Sequence, residues 1–230
     1  MIFQDVILLL AVCNLLNCQA IHPFHEEIPS TAQNLLEIPL DTNWHGWIEQ
    51  DRKSRLSKTQ MEKEINKSST LIKNHWSLEN HILKFDGKGH SIETKSVFRD
   101  FKLWLEWKIP PQGDLLILLR GVPGPRFWDY KKEPAEASTK GSGGLFLNKR
   151  FQPFPSKNAD KPVSEWNQAL IKMRGDRVSV WLNGSQVLEE VPLENSWDRR
   201  KPLPLEGPIG IQARGTSFEI KSMAIMLLEP

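Results

Sequence analysis

The sequence predicts an all-β sandwich of two antiparallel sheets, and three observations carry that prediction. From His75 onward, short apolar-alternating runs are punctuated by Gly, Pro and Asn turns, with no convincing amphipathic helix among them. Residues 100–109, DFKLWLEWKI, place Phe101, Leu103, Leu105 and Trp107 on one face and Lys102, Trp104, Glu106 and Lys108 on the other. Residues 171–174 and 177–182 alternate around Gly175-Asp176, and the second run ends at Asn183-Gly184, a strong short-range hairpin signal.

The N-terminus carries an apolar run over 6–12 that continues through Leu15-Leu16 to Cys18-Gln19-Ala20, where small residues sit at the positions a signal peptidase reads. Residues 1–20 therefore read as a cleaved export signal, predicting a secreted or periplasmic protein, although MIFQD supplies only the terminal amine as positive charge. Lipidation of Cys18 is the alternative, weakened by Asn17 where such sites want a small residue. Cys13 and Cys18 both fall in this segment, which leaves the mature domain without disulfides or thiolate chemistry. Six scattered histidines lack metal-ligand spacing such as HExxH, so no metal and no cofactor are predicted. Beyond the signal, 30 basic residues face 27 acidic ones, a formal charge of +3 that gives no case for nucleic acid. No apolar run is long enough to predict a transmembrane segment.

Residues 21–43, with Pro23, Pro29 and Pro39, read as an extended lead-in, and 49–70 as a charged stretch forming either a short solvated helix or a flexible insertion. Lead-in and insertion occupy 21–74 and the sandwich domain 75–230, with 40–47 contributing its first strand. Strands follow at 76–78, 82–85 and 91–94, separated by Glu79-Asn80 and by the turn Asp86-Gly87-Lys88-Gly89. After Pro110-Pro111, DLLILLRG is almost uniformly apolar, as expected of a central strand covered on both faces. PIGIQAR and SFEIKSMAIMLL supply the last strands. GSGGLF, 141–146, lacks the Lys-Ser/Thr ending and following helix of a phosphate loop and reads as a strand entry.

Several motifs in this order resemble one family. Gly46-Trp47, Trp76, Thr94, Phe98 with Asp100-Phe101, Glu106-Trp107, Trp166-Asn167 and the segment 207–212, GPIGIQ, are similar to the 3-keto-disaccharide hydrolase domain family, over about residues 40–229. The resemblance implies a concanavalin A-like jelly-roll β-sandwich and an exported carbohydrate-active protein that cleaves a glycosidic bond of a 3-keto-sugar. The chain also departs from the family pattern. The stretch carrying the family's pocket Glu and Gln falls on Pro123, Gly124, Pro125 and Arg126, and the family's His falls on Arg214, although Gln212 is retained. The alternative is therefore a non-catalytic carbohydrate-binding module with a degenerate site.

A C3 ketone acidifies the neighbouring C2–H, so a base and an enolate-stabilising donor would allow elimination of the C1 substituent. Direct hydrolysis needs two carboxyl groups, about 5–5.5 Å apart for retention or about 6.5–9.5 Å for inversion. Glu106, Asp129 and Arg120 are the catalytic candidates. Arg120 ends an apolar strand, where a charge needs either a ligand or an ion-pair partner such as Glu106 or Asp129. Glu106 shares a face with Trp104 and is either catalytic or half of a cross-strand ion pair. Asp129 matches an Asp the family retains and otherwise caps a loop. For substrate binding, Trp104, Trp128 and Trp166 stack on sugar faces or belong to the core, and Gln212 meets a hydroxyl or faces solvent. Arg126 and Arg214 replace neutral or titratable family residues, making a more cationic pocket that favours an acidic sugar.

Overall fold

The computed structural model describes residues 26–132 and 141–229. The expected export signal at 1–20 lies outside the described residues. Two short strands come first, β1 (Gln33–Asn34) and β2 (Trp44–Gly46), and then the charged stretch. Of its two predicted forms it takes the helical one, as α1 (Gln50–Lys53) and α2 (Lys58–Ile72). Ser57 and Gln60 start α2 with a reciprocal capping box, each side chain accepting from the other's backbone N–H. The helix docks on β2 at Gly46, where any Cβ would come within 2.8 Å of the Ser68 Cβ. Among the described residues, no helix is long and apolar enough to cross a membrane.

The remaining elements are strands: β3 (Trp76–Glu79), β4 (Ile82–Phe85), β5 (Ile92–Thr94), β6 (Phe101–Lys108), β7 (Asp114–Leu119), β8 (Val122–Trp128), β9 (Gly144–Leu145), β10 (Asn167–Arg174), β11 (Arg177–Leu182), β12 (Ser185–Pro192), β13 (Gly210–Gln212) and β14 (Phe218–Leu227). The two predicted hairpin turns are both present. Gly175 at φ 59° opens the two-residue β10–β11 turn, and Asn183 and Gly184, at φ 48° and 80°, make the β11–β12 turn. Strand β8 departs from the sequence expectation, because Pro123 and Pro125 argue against a strand there. It is tolerated because Pro125 falls in a bulge, where the β7–β8 register shifts between the pairs Leu116–Arg126 and Leu118–Pro123.

All strand pairs are antiparallel. One sheet runs β12-β11-β10-β6-β14-β4-β3, with β1 also pairing to β14, and the other runs β2-β5-β13-β7-β8-β9. This is the predicted concanavalin A-like jelly-roll sandwich. Phe101, Leu103, Leu105 and Trp107 of β6 meet Leu115, Ile117 and Leu119 of β7 in one apolar core between the sheets. Leu116 and Leu118 point the other way on β7 and are nonetheless 0% and 1% exposed. The central strand is thus covered on both faces, as its uniform apolarity predicts. Part of the cover over the six-stranded sheet's outward face is Trp197, whose Nε1–H donates to the Gly121 carbonyl at 2.8 Å while its ring lies 6.2 Å from that of Trp47.

Candidate functional site

The outward face of the six-stranded sheet gathers charge that its strands alone do not suggest. Register puts Asp114 opposite Trp128, and Leu116 opposite both Arg126 and Gln212. Arg214 follows two residues after the end of β13. The Asp114 carboxylate accepts from Arg126 through both oxygens, Nε to Oδ1 and Nη2 to Oδ2, each at 2.9 Å, and its Oδ2 also accepts from Arg214 Nε at 2.5 Å. Arg214 Nη1 donates to Gln212 Oε1 at 3.1 Å. The guanidinium faces are stacked on aromatic rings: Arg126 lies 3.9 Å from the Trp128 centroid and 5.2 Å from that of Phe146, and Arg214 lies 4.5 Å from Phe146.

Trp128 is held from behind. Its backbone N–H donates to Ser142 Oγ and its Nε1–H to the Gly141 carbonyl, while the Ser142 N–H donates to Asp160 Oδ2 at 2.8 Å. Burial pushes the Asp160 carboxyl above its ordinary range, and its bonds from Ser142 only partly offset this. Asp160 thus anchors Gly141-Ser142, which anchor Trp128, on which Arg126 rests.

A second cluster lies across the same face at β2 and β5. Glu93 is 0% exposed, accepts from Ile48 N–H at 3.1 Å and pairs with Lys53 at 2.6 Å. His45, opposite Glu93 on β2, has Nδ1 2.8 Å from the Gly46 carbonyl and 3.8 Å from Glu93 Oε1. A carbonyl only accepts, so Nδ1 carries the proton in neutral His45 and Nε2 keeps its lone pair. Burial pushes the His45 pKa below its ordinary value, outweighing the Gly46 bond and the Glu93 charge.

Of the nine residues predicted from sequence, the structure therefore brings together Arg126, Trp128, Gln212 and Arg214. The other five lie elsewhere. Arg120 does not end a strand; with Gly121 it forms the β7–β8 turn, at φ 53° and 76°, and its 3%-exposed side chain turns away to the Arg99 and Pro204 carbonyls and to Asp100. The ion-pair alternative holds for it, with Asp100 in place of the expected Glu106 or Asp129. Asp129 Oδ2 accepts from the Gln112 N–H at 2.9 Å, which is the loop-capping alternative. Glu106 and Trp104 face outward from the eight-stranded sheet, on the far side of the sandwich. There Glu106 pairs with Lys221 at 3.2 Å, and the Trp104 Nε1–H donates to the Glu26 carbonyl. Trp166 carries Lys108 at 4.8 Å and Lys221 at 5.6 Å over its ring. These positions do not assemble Glu106, Asp129 and Arg120 into one catalytic group.

Sequence reasoning does not single out Asp114, Phe146, Glu93 or His45. Asp114 and Phe146 each offer one signal, a charge or an aromatic ring bordering an apolar strand beside residues already chosen. Glu93 and His45 offer none, since each reads as an ordinary strand position. Among the described residues no group of three or more His, Cys, Asp or Glu is arranged to hold a metal ion.

Residues 39–226 match the model of a family described as the 3-keto-alpha-glucoside-1,2-lyase-like domain. No curated protein matches the chain. Among solved structures the chain is similar to candidate glycosyl hydrolases from Parabacteroides distasonis. One shares 23% identity at a TM-score of 0.55, covering 66% of this chain and 74% of that one. A second shares 20% at 0.53, covering 67% and 83%, and a third shares 17% at 0.53, covering 80% and 99%. At these identities the likeness shows the fold.

Proposed function

Because the chain belongs to the 3-keto-alpha-glucoside-1,2-lyase-like domain family, we propose that its carbohydrate-active role is cleavage of a glycosidic bond in a 3-keto-sugar on the outward face of the six-stranded sheet. The supporting observation is the cluster of Asp114, Arg126, Arg214 and Gln212 framed by Trp128 and Phe146. In this reading a base removes the C2 proton, and the electron pair forms a C2–C3 enolate with its charge on the C3 oxygen. Collapse of that enolate restores the C3 carbonyl, makes the C1–C2 double bond and expels the C1 substituent, which takes up a proton. Water adds across the new double bond later. Donors from Arg126, Arg214 and Gln212 stabilise the oxygen that gains charge. His45, neutral and with a lone pair on Nε2, has the chemistry of the base. It stands two strands from β13 on the same face, in register with Gly210 and about 10 Å from it at ordinary strand spacing. Residues 1–20 would export the protein to meet such a substrate.

A second reading, a non-catalytic binding module, is favoured by one observation. Glu93 is sealed against Lys53 and Ile48, and Asp114 accepts three bonds from two guanidinium groups, so the carboxylates of the two clusters are already bonded within the protein. Turnover of 3-keto-glucosides and 3-keto-disaccharides by the purified protein, followed by NMR, separates the two. Release of the aglycone, reduced about 10²-fold or more in His45→Asn, is expected of the enzyme. Saturable binding without release would establish the module.

A further inference from the structure

We infer that the ligand held by Arg126, Arg214 and Gln212 is an acidic sugar, recognised through a planar carboxylate of the uronic-acid type. The inference deepens the proposed carbohydrate site and rests on it.

Asp114 Oδ1 accepts from Arg126, its Oδ2 accepts from both Arg126 and Arg214, and Gln212 Oε1 accepts from Arg214. Every acceptor of the cluster thus already carries at least one internal bond, and only Asp114 Oδ1 and Gln212 Oε1 keep a further lone pair each. The donors are less engaged: Arg126 Nη1, Arg214 Nη2 and the Gln212 amide nitrogen have no hydrogen-bond partner among the described residues. A neutral sugar hydroxyl uses both a donor and an acceptor, whereas a carboxylate is acceptor-only and matches a surface whose free capacity is mostly donors.

Charge agrees with this excess of donors. Two guanidinium groups face one carboxylate, leaving one positive charge in excess, and their side chains are only 21% and 23% exposed. A partly desolvated excess charge is attracted to an anion more strongly than one in open water. Geometry narrows the anion. Trp128 and Phe146 occupy the flat faces of the guanidinium groups, which leaves their in-plane edges, the direction along which arginine binds a carboxylate side-on.

The test is titration of the full chain with methyl glucuronide, methyl glucoside and methyl glucose 6-sulfate, with binding read by calorimetry. The glucuronide is expected to bind about tenfold or more tightly than the glucoside, as charge-assisted bonds allow. That advantage is expected to shrink as salt is raised and to fall toward one in Arg214→Gln. Equal affinity for glucuronide and glucoside in the wild type overturns the inference whether or not the variant folds. A sulfate ester bound as tightly as the glucuronide overturns the choice of a planar carboxylate. The turnover assay is read separately: cleavage of neutral 3-keto-glucosides without a glucuronide preference removes this inference alone, and preference without cleavage removes the proposed reaction alone. Absence of binding by all three sugars overturns the site itself.

Discussion

The two outward faces of this sandwich carry similar residues under different physical conditions. On the eight-stranded sheet, a 19%-exposed Glu106 has a single ion-pair partner, a Lys221 whose side chain is 52% exposed, and Lys172 reaches an exposed Glu190 at 3.5 Å. On the six-stranded sheet, Asp114 makes three bonds to two arginines and Glu93 is fully enclosed with Lys53. Exposed pairs are screened and individually weak, while enclosed ones depend on every partner. A carboxylate beside a tryptophan is therefore no guide to function until it is known which face carries it and how many partners it has.

Deleting the most enclosed member should separate the faces most sharply. Glu93→Ala leaves the Lys53 ammonium and the Ile48 N–H without their acceptor, and a loss of about 3–5 kcal/mol in urea unfolding is expected. A loss below about 1 kcal/mol would mean that water replaces the carboxylate, so the two faces would be energetically alike. Asp114→Asn comes next. It strips the shared anion from Arg126 and Arg214 but leaves them partly solvated, so about 1–3 kcal/mol is expected. It also removes the internal competitor for those arginines, and any binding of anionic sugars in the folded variant should strengthen.

The contrast between the faces explains what the sequence reveals and what it hides. Period-two alternation correctly separates Phe101, Leu103, Leu105 and Trp107 from Trp104 and Glu106, because inward and outward are local properties of a strand. Which outward face a residue joins is a property of topology, and alternation is identical on both. The same limit hides Asp114, whose partners lie 12 and 100 residues away and meet it only through the β7–β8 and β13–β7 registers. It hides Glu93 too, paired with a lysine 40 residues earlier in what reads as a solvated charged stretch. For Arg120 the physics is right and the address wrong. A charge after an apolar strand does need a partner, but a positive φ in the tight turn sends it to Asp100.

Acid should expose a smaller difference between the faces. Folding holds His45 below its ordinary pKa, so the unfolded chain takes up a proton first as pH falls through about 6.5. With more protons bound in the unfolded state, stability declines from that point downward and is unaffected above it. Carboxylates held below their ordinary range, such as Glu194, act in a more acidic window. Burial raises that group, but amide donors from Lys149, Arg150 and Phe151 and the Arg199 guanidinium outweigh it, so its contribution is present above about 4.5 and lost as pH falls further. Unfolding measured between about pH 5 and about pH 7, which brackets the histidine window, should lose its slope in His45→Gln and keep it in variants of the eight-stranded face. An unchanged slope in His45→Gln would assign the titration to another histidine.

The smallest expected effect is the most direct test of where function lies. Glu106→Gln removes one exposed ion pair on the eight-stranded face and leaves an amide able to hydrogen-bond there. Stability should change by less than about 1 kcal/mol, and turnover or sugar binding should match wild type. The outcome is informative because Glu106 has the features a sequence reading associates with catalysis: a carboxylate beside Trp104 on a clean β face, in a stretch that resembles the family. If Glu106→Gln folds normally and loses turnover, the functional face is the eight-stranded sheet, and the arginine cluster opposite is a structural clasp holding β7, β8 and β13 in register. If activity survives, the multiply bonded face retains the assignment.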